Sequence, residues 1–384
     1  MNMPYIPQEI LDKIIGYATA DDPLADVTYN RKFSTYASFV SYSFHQIILP
    51  YKFRSLTFRL HDIDYNTEKK TFFRTEHIPK LYKAIKAGDA HALSLTPLVQ
   101  NLNILGNPEV PEPLEIIINS FRNLTCLRME KCVTSFAIME QLGKLVHLQS
   151  LHTADCQHEE HYYDSSDKVP YGALSNLQSL HTLQCEKNWI NFRRHLACIP
   201  MKSLRILKSS DPEVVKSLLT SDPPVQLEEL WIFPYCFIKL KDHPLLWNYL
   251  ARVTSLTHLS IPLATLELLE DLPPLIFPSQ ELQYLHIHVA LAPLFANQPL
   301  KKLKIDTKSE SGQLMVEVRQ HWQGIVFPHV KCLATDRPYD ELNKIPIEFW
   351  REFLLNFNQV SGHVFFLDSF PSESMLIMLY SRYY

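Results

Sequence analysis

The amino-acid sequence predicts an α/β fold in which short parallel strands form a curved sheet and helices cover its convex side. Three observations lead to this prediction. A short apolar phrase recurs along most of the chain, apolar stretches with helical spacing lie between several copies, and 26 prolines are spread among these segments. A chain of 384 residues exceeds what one compact core usually supports, so a repeat architecture suits its length.

The recurring phrase is an apolar residue, two variable residues, a second apolar residue, one variable residue, and a third position that is apolar, Thr or Ser. Its ten copies begin 18 to 30 residues apart, which clusters around the period of leucine-rich repeats, and each copy predicts a strand. The copies are Val99/Leu102/Ile104, Leu124/Leu127/Met129, Leu148/Leu151/Thr153, Leu177/Leu180/Thr182, Leu204/Leu207/Ser209, Leu227/Leu230/Ile232, Leu256/Leu259/Ile261, Leu282/Leu285/Ile287, Leu300/Leu303/Ile305 and Val330/Leu333/Thr335.

Leucine-rich repeats place Asn or Cys three residues after the phrase, where the side chain bonds the backbone as the chain leaves the strand. Four consecutive copies have Asn107, Cys132, Cys156 and Cys185 at that position. We therefore expect buried structural thiols here in preference to catalytic or metal-binding ones. The later copies lack this residue, which predicts an irregular C-terminal half.

The remaining elements are predicted from apolar periodicity and from prolines or acidic residues suited to helix starts. Helices are expected at Pro113–Phe121, Phe136–Leu145, Pro212–Leu219, Pro244–Val253 and Ile347–Phe357. An opening strand at Phe53/Leu56/Phe58, an insertion or loop at Asp62–Arg74 and a last strand at Val364–Leu367 complete the prediction.

The composition excludes several classes of function. Only eight glycines occur, and the two closest lie 12 residues apart, so a glycine-rich phosphate loop or a G-x-S-x-G elbow cannot form. The net charge of -4 supplies no field for nucleic acid, and no stretch is apolar enough to span a bilayer. The seven cysteines include no C-x-x-C pair. We expect reduced thiols, no cofactor or metal, no nucleic-acid or membrane partner, and a cytoplasmic or nuclear location.

The N-terminal residues do not follow the repeat. Apolar residues from Pro7 to Ala18 form a stripe at helical spacing, Asp21 to Pro23 mark its end, and a second stripe runs from Phe33 to Ile48. These helices make a module barely large enough to bury its own apolar surface, so a partner surface would help it. We predict two domains, residues 1–58 as this helical module and residues 59–384 as the repeat solenoid with its C-terminal cap.

Two segments of this block resemble the F-box. Residues 6–15, Ile-Pro-Gln-Glu-Ile-Leu-Asp-Lys-Ile-Ile, look like its opening helix, and Phe39–Phe44 resembles its second characteristic segment, with Phe44 where the family often has Trp. The run Tyr51–Phe58 is similar to the way many fungal F-box proteins enter their first repeat strand. The polar link Asp21–Lys32 is longer than is usual in the family.

The resemblance implies that residues 4–50 bind a Skp-type adaptor and thereby a cullin, in a cullin-RING ubiquitin ligase of the SCF type, while the repeats bind the substrate. The protein would then position a target lysine near a ubiquitin-charged enzyme without supplying a nucleophile. The adaptor-contact candidates are Pro7, Ile10, Leu11, Ile14, Val40 and Phe44. The alternative for these side chains is that they only fill the core of the module itself.

In a strand of alternating pattern, the residue between the last two apolar positions faces away from the core. This position is Asn103, Arg128, His152, His181, Lys208, Trp231, Ser260, His286 and Lys304 in successive copies. With cations and histidines but no carboxylate, the column suggests an acidic or phosphorylated protein target, with Arg128 and Lys208 pairing to it and Trp231 as apolar anchor. Binding would then strengthen as the pH falls through about 6.5, where His152 and His181 gain charge. The alternative is an ordinary solvated face.

The histidines and the overall function have further interpretations. The run His158–His161 lacks the spacing of a helical metal site and is expected to belong to a solvated loop, and His286 and His288 are compatible with simple exposure. A leucine-rich-repeat scaffold or inhibitor-like binding protein without a ubiquitin ligase role is the rival function, with the N-terminal helices serving as a cap. An enzyme is the third class, and the sequence offers it no nucleophile, phosphate loop or metal set.

Overall fold

The structure is a computed structural model of the chain, and it describes residues 53–59, 77–106, 112–158, 171–233, 243–262, 277–289, 291–306, 322–335, 355–357 and 362–365. The predicted N-terminal helices, the Asp62–Arg74 segment and Asn107 lie outside these residues, as do residues 347–354 of the predicted C-terminal helix. The chain divides into two compact units. The first is Met1–Leu180 with Asn188–Ile199, and the second is His181–Lys187 with Pro200–Tyr384.

In the first unit, four parallel strands lie side by side. They are β1 (Ser55–Arg59), β2 (Asn101–Leu105), β3 (Cys126–Glu130) and β5 (Ser150–Ala154). The second leucine of the repeated phrase occupies the same register position in each strand, at Leu56, Leu102, Leu127 and Leu151, and all four are buried. The sheet begins with β1, which crosses the predicted domain boundary after residue 58.

Helices and short strands connect these elements in the first unit. Its helices are α1 (His77–Lys86), α2 (Ala90–Leu95), α3 (Glu112–Ser120), α4 (Phe136–Gly143) and α5 (Ile190–Leu196), with 3-10 turns at Thr96–Leu98 and Tyr171–Asn176. Two further short strands, β4 (Val133–Thr134) and β6 (Gln157–His158), pair in parallel as a separate small sheet. Strand β4 follows the turn after β3, and β6 follows the turn after β5. The two repeats therefore pair with each other in both sheets, through β3 with β5 and through β4 with β6.

In the described residues of the second unit there are eight further strands, and each pairs in parallel with the next. They are β7 (Thr182–Glu186), β8 (Ile206–Ser209), β9 (Glu229–Ile232), β10 (His258–Ile261), β11 (Tyr284–His288), β12 (Lys302–Asp306), β13 (Cys332–Thr335) and β14 (Gly362–Phe365). Helices α6 (Pro212–Leu219) and α7 (His243–Leu250) follow β8 and β9, and 3-10 turns lie at Met201–Ser203 and Ala292–Phe295. Seven of its strands carry a buried leucine in register, namely Leu183, Leu207, Leu230, Leu259, Leu285, Leu303 and Leu333.

The turns after β3 and β5 repeat one backbone geometry. Lys131 and Asp155 have φ values of 54° and 51°, in the left-handed region, and each precedes a buried cysteine. The thiol of Cys132 donates to the carbonyl oxygen of Ile104 at 3.7 Å, and that of Cys156 to Met129 at 3.5 Å. Each thiol thus bonds the strand of the preceding repeat, as expected for structural residues.

The environment of the Cys132 thiol keeps it protonated. The hydrogen bond with the Cys156 thiol, together with burial, raises the pKa of the Cys132 thiol well above its ordinary value. Because a protonated, buried thiol is a poor nucleophile and a poor metal ligand, this environment agrees with the structural role predicted for Cys132.

One predicted strand copy is wrong by three residues. Leu177/Leu180/Thr182 does not coincide with a strand, because β7 covers Thr182–Glu186 and places Leu183 beside Leu207. Cys185 is consequently a buried residue within the strand, and the turn position after β7 is Asn188. The last strand is also displaced, since β14 covers Gly362–Phe365 where Val364–Leu367 was expected.

The prediction for His158 is wrong as well. It ends strand β6 and is buried, with its Nδ1 atom 3.2 Å from the hydroxyl oxygen of Thr134, whereas the sequence suggested a solvated loop. The rest of that predicted loop lies outside the described residues. Helices α1, α2 and α5 were not predicted.

Candidate functional site

The six predicted adaptor contacts, Pro7, Ile10, Leu11, Ile14, Val40 and Phe44, lie outside the described residues. The predicted substrate column lies within them. We use the name open face for the side of each sheet opposite to its buried leucines. Side chains at the first and third residues of each strand point to this side because strand residues alternate.

In the first unit, the third-residue positions of β2, β3 and β5 are Asn103, Arg128 and His152, which lie in register as predicted. Asn103 and Arg128 are exposed and His152 is half-buried. The guanidinium of Arg128 lies 3.6 Å from the carboxylate of Glu130, at the fifth residue of the same strand. The open face therefore carries a carboxylate that the column alone did not include.

In the second unit, the register corrects one member of the column. His181 precedes β7 and is exposed, and the residue that pairs with Lys208 across the two strands is Gln184. The column then continues through Trp231, Ser260, His286 and Lys304 as predicted.

A compact group of charged and aromatic side chains surrounds Trp231 on the open face of the second unit. The ammonium of Lys208 lies 3.5 Å from the Glu229 carboxylate and 5.0 Å from the centre of the Trp231 ring. The indole N–H of Trp231 donates to the same carboxylate at 3.2 Å. Lys208, which the sequence suggested as a contact for an acidic target, is therefore neutralised by its own neighbour in the free protein.

Three rings extend this group across the strands. The rings of Trp231 and Tyr284 stack with centroids 5.1 Å apart and planes 24° apart, and Tyr284 stacks on His258 at 5.8 Å and 25°. The three side chains are half-buried, and we call them the aromatic platform. Tryptophan and tyrosine are among the residue types most enriched at the energetically dominant positions of protein interfaces.

Small and polar residues lie beneath and beside the platform. Ser260 occupies the strand position between Trp231 and His286, and its hydroxyl lies 2.9 Å from Nδ1 of His286. Ser260, His286 and His288 are all buried, so the expectation that the two histidines are simply exposed is wrong.

Lysines flank the other side of the platform. Strand β12 places Lys302 beside Tyr284 and Lys304 beside His286. Lys302 is exposed, and within the described part of the chain no carboxylate forms an ion pair with it. Lys208 on one side of the platform is thus paired with Glu229, whereas Lys302 on the other side has no carboxylate partner among the described residues.

Sequence reasoning missed Glu229, His258, Tyr284 and Lys302. All four occupy the first residue of their strands, two positions before the predicted column, and therefore share its face. The same alternation that identified the column would have identified them, because the phrase fixes the phase of each strand.

Other kinds of site find no support in the described residues. Among those residues no group of three or more His, Cys, Asp or Glu side chains could hold a metal ion. Of the helices described here, none is long and apolar enough to cross a membrane.

One parallel strand per repeat, leucines in register and a buried Cys or Asn after the strand together make the leucine-rich-repeat architecture. This class follows from the strand register of the chain itself. No family model matches the sequence, and neither does any curated protein.

Solved structures of repeat proteins are similar to the chain. An internalin (inlF) from Listeria monocytogenes is 14% identical over 71% of this chain and 64% of that chain, with a TM-score of 0.30. The leucine-rich repeat-containing protein LegL7 from Legionella pneumophila is 13% identical over 81% and 91%, with a TM-score of 0.36. The leucine-rich-repeat ectodomain of the receptor kinase GASSHO1/SCHENGEN3 from Arabidopsis thaliana is 14% identical over 71% and 43%, with a TM-score of 0.19. The matches span less than two thirds of the internalin and receptor kinase chains.

Proposed function

We propose that the protein is the substrate-recognition subunit of an SCF-type ubiquitin ligase. Residues 4–50 dock on a Skp-type adaptor, and the open face of the repeats binds a protein substrate. The observation that carries the binding part is the aromatic platform, where Trp231, Tyr284 and His258 lie together with charged side chains on one accessible sheet face. The adaptor part rests on the F-box resemblance of residues 6–15 and 39–44.

In this proposal the protein contributes binding energy and position, and the chemistry of ubiquitin transfer belongs to its partners. The substrate is held on the sheet while the adaptor links the chain to a cullin and to the ubiquitin-charged enzyme. A tethered lysine then meets the thioester at an effective concentration far above its concentration in solution. No side chain of this protein has to act as nucleophile or general base.

The test is co-purification of the full chain with a Skp-type adaptor after co-expression. We expect a stable complex with the wild type and loss of that complex in Ile10→Asp, because the substitution places a charge in the apolar stripe of the predicted helix. Lys13→Asp is the matched control, since it puts the same carboxylate three residues away and off that stripe. Both variants should keep the wild-type circular dichroism spectrum and melting temperature.

Two outcomes count against the adaptor role. No complex with the wild type would favour the rival function, a repeat scaffold or inhibitor-like binder whose N-terminal helices only cap the repeats. Equal loss in Ile10→Asp and Lys13→Asp would show that the segment does not bind through its apolar stripe.

A further inference from the structure

We infer that the aromatic platform and Lys302 together form a peptide-binding site for an extended segment that carries an aromatic residue and, about three residues away, an acidic one. This inference rests on the proposed substrate-binding role of the repeats and names the chemistry of the segment they bind. In this inference the acidic residue of the target pairs with Lys302, and not with Lys208 as the sequence suggested.

The aromatic part of the site follows from the stacking of the three rings. Trp231 and Tyr284 belong to strands separated by one intervening strand, and their rings approach to 5.1 Å across Ser260, the small residue on that strand. A hydrogen bond to Glu229 holds the ring of Trp231, a hydrogen bond with Thr257 holds the ring of His258, and Tyr284 stacks on both. A guest side chain that stacks on them meets a surface whose conformational entropy has been reduced in advance.

The acidic part follows from the distribution of charge around the rings. On the Lys208 side, the positive charge is balanced by Glu229 at 3.5 Å. On the other side, the first and third residues of β10, β11 and β13 are His258, Ser260, Tyr284, His286, Cys332 and Ala334, and none of them is a carboxylate. Lys302 and Lys304 lie between these strands, and the one acidic residue of β12 is Asp306 at its end. A negative group on the ligand therefore finds its partner at Lys302.

The spacing in the ligand follows from the sheet. Adjacent strands are about 4.8 Å apart, so the centre of the platform on β10 lies about 10 Å from β12. An extended peptide that crosses the strands covers this distance in about three residues at roughly 3.3 Å per residue. The acidic residue is a glutamate, an aspartate or a phosphorylated residue, all of which offer the oxygen atoms that an ammonium group binds.

The experiment uses the full-length protein and two pools of twelve-residue peptides that are random except for two fixed positions. One pool has Phe and Glu three residues apart, and the other has Phe and Lys at those positions. We expect the immobilised protein to retain the Phe/Glu pool about tenfold more than the Phe/Lys pool. Lys302→Glu should reverse this preference, and Trp231→Ala should abolish retention of both pools. A third pool with Phe and phosphoserine distinguishes a carboxylate from a phosphoryl ligand.

Matched controls separate the site from general effects on the protein. Trp189→Ala removes a tryptophan that is 58% exposed in the first unit, and Lys202→Glu reverses an exposed lysine in a 3-10 turn. Both should bind the pools like the wild type. The melting temperatures of Trp231→Ala and Lys302→Glu are compared with that of the wild type, so that a misfolded variant is recognised.

Three results would overturn the inference. Equal retention of the two peptide pools would show that the site has no preference for an acidic residue. An unchanged preference in Lys302→Glu would show that Lys302 does not belong to the site. Binding of an oligouridine probe that depends on Trp231 would indicate single-stranded nucleic acid as the ligand. Adaptor co-purification is measured separately, so failure here leaves the F-box proposal untouched, and the reverse also holds.

Discussion

The side chain of Asn188 joins two neighbouring segments of the first unit through both ends of its carboxamide. Its oxygen accepts a hydrogen bond from the backbone N–H of Cys156 at 3.0 Å, and its nitrogen donates to the hydroxyl of Thr153 at 2.9 Å. Asn188 and Thr153 are fully buried. Because buried polar groups cannot turn to water instead, these bonds fix the turn after β5 against the start of α5.

Replacing Asn188 by Ala should lower the free energy of unfolding by about 3 kcal/mol, because two buried polar groups lose their partner. Urea denaturation followed by circular dichroism measures this change. Asn123→Ala is the matched control, since that exposed side chain makes a single bond to the carbonyl of Pro97 and its loss should cost less than about 1 kcal/mol. Similar losses in the two variants would mean that the Asn188 bonds do not stabilise the fold.

A pair of buried imidazoles lies close to this turn. His195 on α5 is fully buried, its ring centroid is 4.5 Å from that of His158, and Phe136 packs against both rings. Burial, and to a smaller extent the charge of His158, lowers the pKa of His195 to about 4. The folded state therefore keeps the imidazole neutral at pH values where an unfolded chain would protonate it.

The stability of the protein should consequently fall as the pH drops between about 6.5 and 4. Over that range the unfolded state binds a proton at its ordinary pKa of 6.5 and the folded state does not, so the stabilisation is complete above pH 6.5 and is lost toward pH 4. His195→Phe should reduce this pH dependence, as measured by urea midpoints at pH 7.5 and 4.5. His147→Gln, which removes an exposed histidine, should leave it unchanged. Identical slopes for wild type and His195→Phe would contradict the assignment.

At the scale of elements, the first unit depends on a close approach between α4 and the 3-10 turn Tyr171–Asn176. Gly143 is the last residue of α4, and a Cβ atom at this position would overlap the backbone oxygen of Ala173. The obstacle is backbone and cannot rotate away, in contrast to a flexible side chain. Glycine is therefore required here by packing.

Gly143→Ala should destabilise the protein by about 2 kcal/mol, because the helix or the turn has to move to accommodate one methyl group. Gly172→Ala is a control within the same turn, where no atom lies within 4 Å of the added Cβ position. The control should be neutral or stabilising by less than about 1 kcal/mol, since alanine lowers the entropy of the unfolded chain. Thermal unfolding of both variants checks the contrast, and equal melting temperatures would show that α4 is free to shift.

Most strands could be predicted because each phrase begins with a leucine or valine and continues with a leucine, and the sheet requires both to be buried. The phrase fails at β7 since Leu174, Leu177, Leu180 and Leu183 are spaced three residues apart, so several phases satisfy it equally. Both Cys185 and Asn188 then fit the turn position. The structure selects the phase that buries Asn188 with two hydrogen bonds, and that choice depends on Thr153 and Cys156, which are distant in sequence.

The candidate site, like the strands, was predictable from the sequence only in part. The third-residue column was predictable from alternation within each strand, whereas the pairing of Lys208 with Glu229 and the stacking of Trp231 on Tyr284 depend on which strands are neighbours and how far side chains lean. Sequence spacing fixes the face on which a residue lies. It does not fix which residues of different repeats touch.

At the scale of the whole molecule, the proposed functions are assigned to different parts of the chain. The apolar stripe that resembles the F-box lies in residues 6–15 and 39–44, and the aromatic platform lies in strands β9 to β11. The net charge of the chain is -4, while Lys302 beside the platform has no ion-pair partner in the part of the chain that the structure describes. A local positive site in an acidic protein favours an acidic segment of a protein over nucleic acid, whose many phosphates the rest of the chain would repel.

This assignment predicts that the two binding activities are separable in the intact protein. Ile10→Asp should lose the adaptor and still retain the Phe/Glu peptide pool, whereas Trp231→Ala should lose the peptides and still co-purify with the adaptor. Measuring both activities on the same two preparations makes the comparison internal, because a misfolded variant would lose both. Loss of peptide binding in Ile10→Asp with an unchanged melting temperature would mean that the N-terminal segment contributes to the substrate site, and the assignment of one function to each segment would then be wrong.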